Sequence, residues 1–377
     1  MLTEVGLADV EWADADGGGL RQTSGVGAGP DRAHESTLLG DIYSVSETEG
    51  RTPVAADGRL GAPAEHPGLG DPHYLRRRQA IAGMAREHRV GDPAPMVDYS
   101  ASEERTWRIV HQALWAAQGE HACRAVLDAR EQAPIPADHI PQHAEVGPEL
   151  RRMTGFDFTL AGGVVANKRF LGSMAEGYFH AVQFVRHPAV PLFTPEPDVI
   201  HDVFGHGIHL SCPAFADIYR LIGQTARRID NADVLQMISD VYWFTVEYGI
   251  LDEDGTPKAY GAALLSSYGE IRRLGLPRAR ALDIEAMLAT RYEIDGYQPV
   301  LFSARCLHEV ADTLNGFLEK LDDESAQRFG RTRLPERASP APGSAPAAWP
   351  MSSRRPDRPR FRAAPRLTRS GRRRPQP

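Results

Sequence analysis

The chain of 377 residues contains three cysteines and no long apolar run. Cys123, Cys212 and Cys306 lie far apart in the sequence and form no Cys-x-x-Cys pair, so we expect neither a disulfide framework nor a cysteine-based zinc site. The acidic N-terminus lacks the basic start and apolar core of a signal peptide, and no stretch of roughly eighteen apolar residues could span a bilayer. We therefore expect a cytoplasmic protein that does not enter membranes.

The chain also lacks the positive charge of a general nucleic-acid binder, because its formal net charge is -7 at pH 7. Its hydrophobic fraction of 42% is enough to bury a substantial core at this length. These values are typical of a globular protein whose partners are small molecules, and we expect no specific nucleic-acid partner.

Three segments differ in composition. Residues 1–60 are rich in Gly, Asp, Ser and Thr and predict a flexible N-terminal segment. Residues 326–377 are rich in Pro, Ala, Ser and Arg and predict a disordered tail. Residues 61–325 alternate helical patterns with loops marked by Pro and Gly, and they predict one folded domain that is mainly α.

Hydrophobic periodicity predicts a long helix over 104–132 and two further packed helices over 215–229 and 233–251. Gly249 and the turn DEDGTP are expected to end the last of these helices. Strand-like alternation is scarce, so any sheet in the domain is expected to be small.

The stretch PEPDVIHDVFGHGIHL places two histidines, His201 and His206, in an apolar environment. Five residues on an α-helix are separated by roughly 140°, so the pair does not share one face but can straddle a point above a helical turn. The zinc-protease pattern HExxH has its histidines four apart with Glu after the first, whereas Asp202 follows His201 here. The spacing indicates two ligands of one metal and disfavours zinc-protease chemistry.

Glu247 lies in the apolar stretch VYWFTVEYGI, where a buried carboxylate needs a neutralising partner. Two histidines and one carboxylate are the ligand set of non-heme Fe(II) sites that keep positions open for oxygen and substrate. The same residues also fit a structural role, in which each histidine is hydrogen-bonded in the core and Glu247 pairs with an arginine. His209 is expected to point elsewhere and not to bind the metal.

Several motifs together resemble the pterin-dependent aromatic amino acid hydroxylases. They run in order from residue 66 to about 320, over some two thirds of the chain: HPGLGDPHYLRRR, EERTW, HAC, HIPQ, RFLGSMAEGYFHAVQFVRH, PEPDVIHDVFGH, YWFTVEYG, KAYGAALLSSYGE and YQPVLF. The resemblance implies a mostly helical catalytic domain with a small amount of sheet around an iron cleft.

Carried over by matched position, the resemblance implies roles for individual residues. His201, His206 and Glu247 would be the catalytic iron ligands, and Arg186 would bind the substrate carboxylate. Tyr242 would lie near the iron without binding it. The remaining residues implied for the amino acid pocket are Thr194, Pro195, Pro197, Trp243, Tyr248, Ser266, Ser267 and Glu270. Those implied for the pterin are Phe170, His180 and Asp202.

The implied cofactors are Fe(II) and tetrahydrobiopterin or another reduced pterin, and the implied substrates are O2 and an aromatic amino acid. By the family resemblance, Trp243 matches a position where tryptophan hydroxylases usually have Phe, and Ile294 matches one where tyrosine hydroxylases have Asp. The resemblance therefore implies hydroxylation of L-phenylalanine to tyrosine. A tyrosine or tryptophan hydroxylase remains an alternative, since an apolar pocket rejects an added hydroxyl only weakly.

The sequence departs from the family pattern at two places beside the pocket. GIHL follows the second histidine where a Val-Pro pair is common, and Ala263 stands where Gly is usual. A shifted ring would be oxidised at the meta carbon, as in phenylalanine 3-hydroxylases. No regulatory domain or C-terminal heptad helix is recognisable, so a monomer or weak homodimer is expected. The rival functions are a zinc-dependent hydrolase and a degenerate hydroxylase fold retained for binding.

Overall fold

The computed structural model describes residues 66–330 except 164, 195, 275–278 and 293–296. The predicted flexible segment at 1–60, Pro195, Ile294 and the predicted tail from 331 onward lie outside these described residues. The boundary predicted at 326 is wrong, because it falls inside a helix, Ser325–Arg328, in which Ala326 is fully buried. The folded domain therefore continues past that boundary.

Helices dominate the described residues. Two π-helical turns, Asp202–Gly207 and Trp243–Glu247, interrupt or extend them. The α-helices are α1 Pro72–Gly83, α2 Ala101–His121, α3 Arg124–Arg130, α4 His143–Thr154, α5 Asn167–Ser173, α6 Val199–His201, α7 Ile208–Leu210, α8 Pro213–Arg228, α9 Ala232–Tyr242, α10 Ala262–Ser266, α11 Tyr268–Ile271, α12 Ile284–Ala289, α13 Leu307–Leu318 and α14 Ser325–Arg328. None of these helices is long and apolar enough to cross a membrane.

Two small sheets accompany the helices. β1 (Asp157–Leu160) and β2 (Tyr178–Ala181) form a parallel pair in which Phe158 is opposite Phe179. The second sheet has the strand order β4-β3-β6-β5, and its strands are β3 Ile250–Glu253, β4 Thr256–Ala259, β5 Ala279–Ala281 and β6 Leu301–Ala304. The predicted mainly helical fold with little sheet is confirmed.

Helix α2 shows why the predicted periodicity works where one helix face packs on the core. It begins with a capping box between Ser100 and Glu103, which satisfies backbone N–H groups of the first turn. The apolar residues at helical spacing, Trp107, Val110, Leu114 and Ala117, are all buried. This face packs into one continuous core cluster that includes α8, α9 and the two π turns.

Two helix boundaries differ from the prediction because tertiary contacts interrupt the pattern. The helix predicted over 104–132 breaks at 122–123, where Cys123 N donates a 2.9 Å hydrogen bond to Ala259 O of β4. The helix predicted over 233–251 ends before Gly249, and β3 begins at Ile250. The DEDGTP turn instead joins β3 to β4, with Asp254 at φ 55° in the left-handed region that such hairpin turns require.

Candidate functional site

His201 and His206 lie on a helical segment that contains a π turn. Helix α6, the turn Asp202–Gly207 and helix α7 follow one another without a break. In a π turn each backbone N–H bonds to the carbonyl five residues earlier, so side chains five residues apart come onto the same face. The separation of roughly 140° expected for an α-helix is therefore wrong for this pair.

Two contacts hold this segment in place. The side chain of Asp198 caps α6 by accepting a 3.1 Å hydrogen bond from His201 N. A Cβ at Gly205 would lie 2.6 Å from Ala262 O, so only glycine lets the π turn pack this closely on α10. The close packing brings Ser266, at the end of α10, to the His201 ring.

The structure brings the three residues of the predicted triad together. His201 Nε2 and His206 Nε2 lie 3.0 Å apart. Glu247, the last residue of the second π turn, places Oε1 3.3 Å from His206 Nε2 and Oε2 3.8 Å from His201 Nε2. Three potential metal-binding groups thus converge from two helical segments that are forty-one residues apart in sequence between His206 and Glu247.

Hydrogen bonds orient both imidazole rings from behind. His201 Nδ1 lies 2.8 Å from Ser266 Oγ, which lies 3.0 Å from Ala262 O. Since the carbonyl can only accept, the Ser266 hydroxyl donates to it and accepts from His201 Nδ1, which leaves Nε2 with a lone pair. His206 Nδ1 lies 2.7 Å from the hydroxyl of Tyr219.

The charge of Glu247 fits a metal ligand. Burial alone would raise the pKa of its carboxyl, but the adjacent His206 and then His201 lower it to about 2. Burial, followed by the charge of His206, lowers the pKa of His201 to about 4. The group is therefore an ionised carboxylate beside a neutral His201, and Glu247 Oε2 has no hydrogen-bond partner among the described residues.

Asp202 is a second carboxylate near the two histidines. One potential ligand atom from each of His201, Asp202 and His206 lies within 4.8 Å of the others. However, Asp202 Oδ2 accepts a 2.7 Å hydrogen bond from Val182 N, and burial raises the pKa of Asp202 well above its usual range. A carboxyl whose pKa is raised and whose oxygen already accepts from a backbone amide is a poorer cation ligand than an ionised carboxylate. The contacts therefore favour Glu247 over Asp202 as the carboxylate that would face a metal.

This donor set fits a divalent cation. Two imidazole nitrogens and an ionised carboxylate with an unpartnered oxygen form an arrangement that is stabilised by positive charge at its centre. The neighbouring cavity of about 190 Å³ leaves room for further ligands. Geometry of this kind suits a metal that binds and activates a small molecule, and it differs from a closed structural site.

The predicted site residues line one cavity. Fifteen of the residues named from the sequence, Tyr242 included, border it, and Pro195 lies outside the described residues. The fifteen are Phe170, His180, Arg186, Thr194, Pro197, His201, Asp202, His206, Tyr242, Trp243, Glu247, Tyr248, Ser266, Ser267 and Glu270.

Arg186 borders the cavity as half of a buried ion pair. Its Nε and Nη2 lie 2.9 and 2.8 Å from the two carboxylate oxygens of Asp198, and both side chains are almost fully buried. Asp198 thus fixes the guanidinium and caps the helix that carries His201. The remaining Nη1 lies 3.4 Å from Pro191 O, a weak contact that leaves this edge able to bind an anion.

Aromatic rings form one wall of the cavity. Trp243 stacks on Tyr292 with ring centroids 4.7 Å apart and packs against Tyr248 at 4.8 Å. Its Nε1 donates a 3.1 Å hydrogen bond to Gln298 Oε1. Glu270 Oε1 accepts a 2.6 Å hydrogen bond from the backbone of Gln298, so the same residue orients both side chains.

Phe170 and His180 form another part of the lining, with ring centroids 6.4 Å apart. His180 Nδ1 lies 3.1 Å from Ser173 Oγ, which lies 2.9 Å from both Phe170 O and Tyr178 O. Burial lowers the pKa of His180 to about 4, so the ring is neutral. Since Ser173 donates to a carbonyl, His180 Nδ1 carries the proton, and its buried Nε2 is an acceptor.

Sequence reasoning did not identify several residues that build the site. Asp198, Tyr219 and Gln298 each orient a residue that was identified. Glu196 borders the cavity, and its two carboxylate oxygens accept hydrogen bonds from Nε and Nη2 of Arg78 in α1. The acidic cap position of Asp198 before a helix was a usable signal, whereas the pairings of Tyr219 and Gln298 depend on tertiary structure.

Comparisons with known proteins agree with this geometry. The family described as biopterin-dependent aromatic amino acid hydroxylase matches residues 55–332. A phenylalanine 3-hydroxylase of Streptomyces coeruleorubidus is 40% identical over 260 residues, which cover 69% of this chain and 93% of that protein. A chloroplastic phenylalanine 4-monooxygenase of Physcomitrium patens is 36% identical over 278 residues, covering 72% of this chain and 70% of the relative.

A solved structure is also similar. Phenylalanine hydroxylase of Chromobacterium violaceum, with bound iron(III) and 7,8-dihydrobiopterin, has a TM-score of 0.59 at 25% sequence identity. The match covers 68% of this chain and 96% of that one. The family match extends over well more than half of the sequence and includes every residue of the cavity described above. The chain belongs to the family of biopterin-dependent aromatic amino acid hydroxylases.

Proposed function

We propose that this enzyme is a monooxygenase that hydroxylates the ring of L-phenylalanine with O2, non-heme Fe(II) and a reduced pterin. The observation that carries the proposal is the convergence of His201 Nε2, His206 Nε2 and the ionised carboxylate of Glu247 at one cavity wall. These three side chains would hold the iron. When bound, iron and reduced pterin together supply the reducing equivalents that activate O2 beside the ring.

The amino acid is expected to bind through Arg186. The Asp198 clamp presents the Nη1 edge of a planar guanidinium, which matches a carboxylate. The aromatic wall that contains Trp243 offers an apolar face for the substrate ring. A fixed carboxylate and a fixed ring together hold one carbon toward the metal ligands, which is how positioning contributes to the rate.

The pterin is expected to lie against Phe170. An aromatic face suits a planar heterocycle, and the acceptor Nε2 of His180 suits an N–H group at the edge of that heterocycle. Burial raises the pKa of Asp202 well above its usual range, and in its protonated form this carboxyl would provide a hydroxyl donor near the same region. These roles follow the positions implied by the family resemblance.

A separate part of the proposal concerns which carbon of the phenylalanine ring is hydroxylated. The expectation from the sequence was para attack, which gives tyrosine. Two observations favour meta attack instead, namely the 40% identity to a phenylalanine 3-hydroxylase and the position of Ala263 in the cavity lining. We therefore propose meta-tyrosine as the main product and para-tyrosine as the second candidate.

One experiment tests these proposals together. The purified protein is loaded with Fe(II) and incubated with tetrahydropterin, O2 and either Phe, Tyr or Trp, and chromatography separates meta- from para-tyrosine. The proposal expects ring hydroxylation of Phe that stops when either O2 or pterin is omitted. Hydrolysis of an ester or amide substrate in the absence of O2 and pterin would instead support the zinc hydrolase, and a protein that takes up no iron would support a binding role.

A further inference from the structure

A buried hydrogen-bond chain extends from His206 away from the cavity. His206 Nδ1 lies 2.7 Å from Tyr219 OH, which lies 2.8 Å from His209 Nδ1. His209 Nε2 lies 2.5 Å from the backbone carbonyl of Tyr260. The three side chains are buried and come from the π turn, α7 and α8. We call these groups the Tyr219 chain.

The direction of every hydrogen bond in the Tyr219 chain follows from its last member. The carbonyl of Tyr260 can only accept, so His209 Nε2 carries a proton and donates to it. His209 is fully buried and forms no ion pair among the described residues, so the ring is neutral and its Nδ1 is an acceptor. Tyr219 OH must therefore donate to His209 Nδ1.

The phenol oxygen of Tyr219 is then left as an acceptor toward His206. His206 Nδ1 carries the proton and donates to this oxygen, and Nε2 keeps its lone pair. That lone pair lies on the side facing His201 Nε2 and Glu247. Ser266 acts in the same way on His201, because its hydroxyl is committed to the carbonyl of Ala262.

We infer that Tyr219 and His209 are positioning residues that fix the His206 tautomer in which Nε2 is free to bind the metal. This inference rests on the proposed function for the identity of the metal, but the proton on His206 Nδ1 is already a property of the metal-free protein. His209 lies in the GIHL stretch, where the sequence departs from the common family pattern. The role of His209 is therefore specific to this protein's sequence and is not a property of the ligand triad itself.

The Tyr219 chain predicts that loss of His209 weakens metal binding more than loss of the Tyr219 hydroxyl does. Tyr219→Phe leaves His206 Nδ1 without its partner, and loss of such an outer-shell partner typically weakens metal binding by about 10- to 100-fold. His209→Leu is expected to weaken metal binding about tenfold more than Tyr219→Phe does, which corresponds to one hydrogen bond. With His209 gone, the Tyr219 hydroxyl donates to His206 Nδ1 instead, which drives the proton to Nε2.

The double variant and a conservative variant sharpen the test. Tyr219→Phe combined with His209→Leu should bind metal as well as Tyr219→Phe alone, because no phenol remains to impose the wrong tautomer. His209→Gln should recover most of the loss seen with His209→Leu, since an amide offers one acceptor and one donor. Tyr99→Phe is the matched control, because it removes a phenol hydrogen bond to Gln183 O elsewhere in the fold.

The measurement has two parts. The first is the dissociation constant for Co(II). Each variant is titrated with Co(II) without oxygen, and binding is monitored by visible absorption. Thermal unfolding of each variant identifies those that do not fold. The second is the ¹⁵N NMR spectrum of histidine rings in the metal-free wild-type protein, assigned by the signals that are missing from His209→Leu and from a His206→Gln variant made for this purpose. It distinguishes a ring protonated at Nδ1 from one protonated at Nε2 without any metal.

The expected result is His206 protonated at Nδ1, His209 protonated at Nε2, and the order of Co(II) affinities given above. A wild-type spectrum in which His206 Nδ1 is unprotonated, or a folded His209→Leu variant that binds Co(II) as well as Tyr219→Phe does, would overturn the inference. Failure of the wild-type protein to bind Co(II) or Fe(II) would count against the proposed function, and the NMR spectrum would still decide the tautomer.

Discussion

The pKa values of the two carboxylates beside the histidines shift in opposite directions because their surroundings differ. The adjacent His206 and His201 lower the pKa of Glu247, whereas burial raises the pKa of Asp202, which accepts a hydrogen bond from a backbone amide. The sequence could identify both acids as candidates but could not rank them by environment. The opposite shifts of their pKa values follow from contacts that only the structure shows.

This difference predicts opposite results for two isosteric variants. Glu247→Gln removes the anion and should weaken Fe(II) binding by more than the roughly 10- to 100-fold typical of outer-shell partners, with hydroxylation falling in parallel. Asp202→Asn serves as the matched control and should keep Fe(II) binding within a few-fold of wild type. Metal content after dialysis measures both. Retention of iron by Glu247→Gln and its loss in Asp202→Asn would reverse the assignment.

Arg186 illustrates a side chain whose role depends on a partner that the sequence does not reveal. Because Asp198 occupies Nε and Nη2, the guanidinium cannot rotate and its Nη1 edge has a fixed direction. Lysine has no planar fork and cannot make both contacts. The pair is nearly fully buried, so removing only one partner would leave an uncompensated charge.

We therefore predict that Arg186→Lys raises the KM for phenylalanine by about 10- to 100-fold, the worth of one charge-assisted hydrogen bond. The KM for the pterin should change much less, because the residues expected to contact the pterin are Phe170 and His180. Steady-state kinetics with each substrate varied in turn separates the two constants. An equal rise in both would indicate a general disturbance of the cavity instead of a lost carboxylate contact.

At the scale of elements, the sequence predicts helices well where one face packs on the core and poorly where the helix changes type. The buried face of α2 follows the 3.6-residue period, so its core residues could be named in advance. The π turns Asp202–Gly207 and Trp243–Glu247 have no such period. The candidate ligands could be named from residue type and spacing, while the geometry that brings them together depends on these turns.

Gly205 is the contact that brings one of these turns against α10. We predict that Gly205→Ala destabilises the fold by about 1–3 kcal/mol, the usual cost of overpacking, because its Cβ would lie 2.6 Å from Ala262 O. It should also weaken metal binding, since Ser266 at the end of α10 orients His201. Denaturant unfolding and metal titration measure the two effects.

The control is Gly119→Ala on the exposed face of α2, where nothing lies within 4 Å of the added Cβ. Alanine is a better helix former than glycine, so this variant should gain up to about 1 kcal/mol in the free energy of unfolding. Equal effects of the two substitutions would contradict a special role for the close approach at Gly205.

At the scale of the whole molecule, the family and fold could be predicted from motifs that occur in a fixed order along the sequence. Such an order can be recognised without knowing the contacts that each residue makes. The helical domain and the set of residues around one cavity were predictable in this way. The partners that orient those residues come from distant segments, as Tyr219 of α8 does for His206, and no local pattern encodes them. Cytoplasmic location and the monomeric or weakly dimeric state remain predictions from the sequence.

Stability of the whole domain should depend on pH through buried neutral histidines. His143, at the start of α4 and packed on Phe158 with ring centroids 4.9 Å apart, is fully enclosed, and burial lowers its pKa from 6.5 to about 4. Between these values the unfolded chain binds a proton that the folded protein does not, so stability is present above about pH 6.5 and is lost as the pH falls toward 4. Each such group contributes about 1.4 kcal/mol per pH unit in this window.

We predict that the free energy of unfolding of the wild-type protein falls more steeply between pH 6.5 and 4.5 than that of His143→Gln, by about 1.4 kcal/mol per pH unit. The variant is destabilised at neutral pH, because it loses the ring packing, so the two curves should converge as the pH falls. Urea unfolding of the metal-free proteins at a series of pH values gives both slopes. Parallel curves would mean that the pKa of His143 is the same in the folded and unfolded states, because such a group contributes no slope.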